Sequence, residues 1–142
     1  MMKYSTVAFL ALALIVAAPL AAQLWAHHSF AAEFDANKPI TLTGTVTKVE
    51  WTNPHVWIYF NAKDADGKVT NWGAELGPPH GLQGRGWRRN TLEIGSKITV
   101  EGSMAKNGSS RVNAQTITLA ATGGRPGEVL DANSSQNDKE TK

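Results

Sequence analysis

From residue 40 onward, apolar side chains recur at every second position, in short runs broken by glycine, proline, asparagine or aspartate. Alternation of this kind buries one face of a strand and wets the other. Ile40, Leu42, Gly44 and Val46 alternate with threonines, which predicts a first strand over 40–51. Val49 and Trp51 continue on the opposite parity, and a change of phase inside one run predicts a bulge that bends the strand. The run stops at Asn53-Pro54 and resumes at His55. Over 55–62, Val56, Ile58, Phe60 and Ala62 take one face, while His55, Trp57, Tyr59 and Asn61 take the other. Asp66-Gly67 supplies a turn, and a third strand over 69–76 returns with Trp72, Ala74 and Leu76 together, closing a hairpin.

Gly77-Pro78-Pro79-His80-Gly81 breaks the sheet. The stretch 82–90 has room for a turn or two of helix on Leu82 and Trp87, although Gly84 and Gly86 make that helix weak. Strands four and five follow over 97–105 and 112–120, with a glycine-containing turn between them. From 122 to 142 the chain is polar and aperiodic, and is expected to be a disordered tail. Five strands, a bent first strand and a helical segment between the third and fourth predict an all-β fold, a small five- to six-stranded OB-like barrel over 40–121. A barrel-like sandwich using the arm 27–39 as a sixth strand is the rival arrangement.

Residues 1–26 read as a signal peptide: Lys3 precedes an apolar run over 7–20, shorter than the roughly 20 residues a spanning helix needs. Cleavage after Ala26 makes His27 the new amino terminus; cleavage after Ala22 competes. The expected location is periplasmic or secreted, with no stable membrane insertion after cleavage. The absence of cysteine excludes disulfides, thiolate metal sites and a cysteine nucleophile. A formal net charge of +2 is too small for a nucleic-acid binder. No Gly-x-Ser-x-Gly elbow, phosphate loop or glycosidase-type carboxylate pair occurs, so the residues point to binding rather than catalysis.

The candidate chemistry lies in four histidines, all beside breaks: His27 and His28 in the arm, His55 after Asn53-Pro54, and His80 after Pro78-Pro79. An antiparallel hairpin sets His55 and the segment 76–80 at one end of the barrel, and an arm folded over that end would gather the imidazoles. Cysteine-free histidine sites suit copper or zinc, so the expectation is a metal-ion binder for carriage, buffering or delivery, with a periplasmic protein as the partner in the last case. A free amine on His27 would add a chelating nitrogen. Trp57 and Tyr59 alternate with His55 and would line the approach. Glu75 is either a carboxylate behind a ligand histidine or a surface acid paired with Arg88 or Arg89. The alternative is an interaction module in which the histidines are structural and the aromatic face binds a ligand or protein.

The His27-His28-Ser29-Phe30 start, Thr43-Gly44-Thr45-Val46, Trp51-Thr52-Asn53-Pro54-His55, Gly77-Pro78-Pro79, Gly86-Trp87 and Val100-Glu101-Gly102 occur together. In that combination the chain resembles a family of small exported bacterial proteins known only as a domain of unknown function, over about 27–119. The resemblance implies an exported β-barrel-like domain and carries no established activity.

Overall fold

The structure, a computed structural model, describes residues 30–121 and 127–133. The chain divides into two compact units, Met1–Ala32 and Glu33–Lys142, and the second holds every strand described below.

Six strands form one sheet: β1 (Phe34–Glu50), β2 (Trp57–Lys63), β3 (Val69–Glu75), β4 (Lys97–Ala105), β5 (Arg111–Leu119) and β6 (Glu128–Asp131). One helical turn, α1 (Pro79–Gly84), stands between β3 and β4. The order is β3-β2-β1-β4-β5-β6, and a parallel pairing of β3 with β5 closes the sheet into a ring. This is the OB-like, all-β arrangement the alternation predicts.

β1 makes the ring possible because it serves two partners. Residues 39–45 pair with β4, and residues 44–50 pair with β2. The register slips between Val46 and Lys48, where the phase of the sequence changes, so the expected bulge is present. Beyond it Val49 pairs with Ile58 and Glu50 with Trp57. The core holds Val46, Val56, Ile58, Phe60, Ala74, Leu76, Ile98, Val100, Val112 and Ile117, and Leu82, Trp87 and Leu92 from the segment between β3 and β4 join it. Trp87 is fully buried as expected, while Trp72 only packs against the cluster.

Three elements depart from the sequence expectation. β1 begins at Phe34, so arm residues lengthen the first strand instead of forming a separate one; Phe34 is 3% exposed and pairs with Ala105. α1 starts at Pro79, with proline in its first turn, and ends at Gly84 before the glycine-rich segment can continue it. The sixth strand comes from 128–131, inside the stretch expected to be disordered. It pairs with Thr116–Leu119 of β5, along the edge that the short β3 leaves open. Leu130 and Ala132 are buried, and the Trp87 indole N–H donates to the Asp131 carbonyl at 2.8 Å.

Candidate functional site

The loop after β1 carries Trp51 into the core and turns at Asn53-Pro54, whose peptide bond is cis. The chain then joins β3 ahead of the formal start of β2: the Leu76 N–H donates to the Val56 carbonyl at 2.8 Å, and the Val56 N–H to Gly77 at 3.2 Å. These bonds set His55 beside the end of β3. Trp57 pairs with Glu75, and strand alternation puts His55, Trp57 and Glu75 on the face away from the core. The His55 Nδ1–H donates to the Glu75 carboxylate. Glu75 is 7% exposed, one of three buried polar residues among those described, and His55 is half-buried. It is not paired with Arg88 or Arg89: the Arg88 guanidinium donates to its neighbour's carbonyl instead.

The hydrogen bond to Glu75 raises the His55 pKa above its ordinary 6.5. Partial burial opposes the rise, and the charges of Glu75 and Glu33 add to it. With Nδ1 engaged, Nε2 is the ring nitrogen left without a partner among the described residues.

Next to the dyad runs a ladder of rings and charges. Arg111 lies over the Trp57 ring at 4.5 Å, and Trp57 stacks on Tyr59 with centroids 6.3 Å apart. Lys48 sits 5.3 Å from the Tyr59 ring, and the Tyr59 hydroxyl donates to Glu50 at 3.2 Å. Burial and the Glu50 carboxylate push the Tyr59 phenol above its ordinary range. Glu33 faces Arg111 at 4.0 Å.

Gly73 lies beneath the ladder. It is the register partner of Tyr59 on one side and of Arg111 on the other. A Cβ there would stand 3.4 Å from Tyr59 Cε1 and 3.5 Å from Trp57 Cζ3. Both are ordinary van der Waals separations, so the two rings lie across Gly73 without requiring a glycine there.

Of the predicted site residues, His55, Trp57 and Tyr59 share this face. His80 is exposed on α1, and His27 and His28 lie outside the described residues. Among the described residues, no group of three or more histidine and acidic side chains is placed to hold a metal ion. Sequence reasoning missed Arg111, which becomes a neighbour of Trp57 only when β5 closes the ring, and Gly73, which the β2–β3 hairpin sets opposite Tyr59. It missed Asn113 as well, 3% exposed, in register with Glu75, its side-chain oxygen unpartnered.

No curated protein matches the chain. The model of a family of unknown function, DUF6152, matches residues 14–114, more than half of the sequence. The chain therefore belongs to the family of unknown function DUF6152.

Proposed function

We propose that this is an exported, non-enzymatic binding protein that holds copper or zinc through His55, for carriage or delivery to a partner. The observation that supports the reading is the Glu75 bond to His55 Nδ1. Metal-ligating imidazoles commonly donate their second N–H to a carboxylate, which fixes the tautomer, orients the ring and makes the other nitrogen a better donor. His55 has that partner, beside the end of β3, with Nε2 left over. Imidazole suits copper and zinc alike.

The test is calorimetric titration of the mature protein with copper(II) and with zinc(II). His55→Ala is expected to lose binding by tenfold or more, and Glu75→Gln by about tenfold, the range known for carboxylates behind ligand histidines. A joint His27→Ala/His28→Ala variant and His80→Ala read the part of the remaining histidines. Unchanged affinity in His55→Ala overturns the reading.

A second reading, an aromatic interaction face, is favoured by the Arg111–Trp57–Tyr59–Lys48 ladder. It predicts that Trp57→Ala abolishes partner binding and leaves metal uptake unchanged. One face of Trp57 is already covered by Arg111, which is why the metal reading stands first.

A further inference from the structure

A second surface, away from the His55 corner, has a chemistry of its own. A groove of about 470 Å³ crosses the outer face of the sheet, lined by Thr43, Thr45, Asn61, Lys63, Val69 and Lys97. The register explains how these residues meet. Thr45 of β1 pairs with Lys97 of β4 on one side and Asn61 of β2 on the other, and Asn61 pairs with Asn71 of β3. One row of polar side chains thus crosses four strands. Thr43 with Thr99, and Lys63 with Val69, continue the pattern beside it.

Within this face the polar groups are aligned by their own hydrogen bonds. The Asn71 amide donates to Asn61 at 2.8 Å and to Thr47 at 3.2 Å, and the Thr43 and Thr99 hydroxyls are 2.9 Å apart. Gly44 sits in the groove between the two rows. A Cβ there would press on the Asn61 carbonyl and lie 2.8 Å from Phe60 Cδ2, so only glycine lets β1 pass this close to β2.

The charges are one-sided. Among the described residues, no carboxylate lines the groove. Lys97 donates to the neutral Thr45 hydroxyl at 2.6 Å, and Lys63 makes no ion pair among the described residues. Two cations flanking a shelf of hydroxyls and amides complement a ligand that carries oxyanions on a hydroxylated scaffold. The volume is within the roughly 300–1,000 Å³ of small-molecule sites. Binding of single-stranded nucleic acid rests on bases stacked over aromatic rings, and among the described residues no ring lines this groove.

We infer that the groove over β1, β2 and β4 binds an acidic oligosaccharide, its carboxylate or sulfate groups held by Lys63 and Lys97 and its hydroxyls by Thr43, Thr45 and Asn61. The inference is independent of the metal reading, because it shares no residue with the His55 corner.

The test titrates the full mature chain with three probes of equal length: an oligogalacturonate, a heparin-derived oligosaccharide and an uncharged malto-oligosaccharide. Wild type is expected to bind one or both acidic probes and not the neutral one; both acidic probes carry carboxylates, so binding of the heparin probe alone assigns the held groups to sulfate. Lys63→Ala/Lys97→Ala should weaken that binding by at least tenfold, the loss of about two charge-assisted hydrogen bonds. The control Lys38→Ala/Arg89→Ala removes the same charge from exposed positions elsewhere and should change affinity by less than about twofold, as long-range charge effects are screened by salt. Thr45→Val keeps both lysines and should still lose several-fold, reading the hydroxyl alone. His55→Ala should bind as wild type does. The inference is overturned if wild type binds neither acidic probe, if both double variants lose affinity equally, or if a single-stranded oligonucleotide binds more tightly than either saccharide.

Discussion

The carboxylate of Glu75 accepts the Nδ1 proton of His55, so the neutral ring offers Nε2 as a lone pair and the charged ring offers it as a donor. The charged form is favoured by the Glu75 hydrogen bond and by the charges of Glu75 and Glu33, with partial burial of the ring on the other side of the balance. Because the folded pKa lies above the ordinary 6.5, the stabilisation is fully present below that pH and is lost as pH rises through the raised folded value. Melting temperatures of wild type and Glu75→Gln should therefore differ most at pH 5.5–6 and converge toward pH 8.5, on the scale set by a pKa of about 6.5 for free histidine. NMR titration of the His55 ring should show the same pKa fall in the variant; an unmoved pKa would remove Glu75 as its cause. His55, Trp57 and Tyr59 were legible as one face because strand alternation alone decides that. Glu75 was visible as an acid near that end, but its burial was not: a carboxylate at a strand end reads as a surface group until the partner that encloses it is known. Arg111 carried no sequence signal, since its contact with Trp57 depends on strands far apart in the chain.

At the level of elements, the strand glycine Gly102 does opposite work to the glycine that ends the helix. Gly102 of β4 pairs with Ala114 beside a register slip, and a Cβ there would run into the Asn113 carbonyl and lie 2.9 Å from Val112 Cγ2. Backbone cannot move aside as a side-chain tip can, so Gly102→Ala should destabilise by about 1–3 kcal/mol, the usual range for overpacking. Gly84→Ala meets nothing within 4 Å and should be neutral or stabilise by up to about 1 kcal/mol through helix propensity. Urea denaturation of the two variants checks both signs. Strands with clean alternation were legible nearly to the residue, as Lys97–Ala105 was, because period two survives any arrangement of neighbours. β6 was not legible: Val129 and Leu130 are a lone apolar pair in a polar segment, and only the open edge of β5 gives them a place. The early start of α1 was obscured by two prolines, which break a sheet but also suit a helix's first turn.

For the molecule as a whole, the weakest join of the ring is the seam between β3 and β5. It consists of three parallel residue pairs, Gly73–Glu75 against Arg111–Asn113, helped by one bond from the Gly73 N–H to the Ser110 carbonyl at 3.0 Å. Parallel pairing is slightly less stable per residue than antiparallel, and the β1–β4 join is longer. The seam also buries the unpartnered Asn113 oxygen, and such a group typically costs about 1–3 kcal/mol. Amides at the seam should therefore exchange with solvent through an opening that leaves β1 and β4 paired, at lower free energy than global unfolding. Asn113→Leu, similar in size and without the stranded acceptor, should slow that exchange and hold or raise the melting temperature. The proposed site bears on the same join, because Arg111 comes from β5 while Trp57 and Glu75 come from the hairpin it closes against. On the metal reading, an ion held at His55 would also fix the orientation of Glu75 on the β3 side. Zinc(II) at about 100 times its dissociation constant should then add about 2.7 kcal/mol to stability by mass action. Much of that gain should appear as protection of the Gly73 and Asn113 amides rather than of β6. Zinc that raises the melting temperature while leaving seam exchange untouched would place the ion elsewhere on the protein.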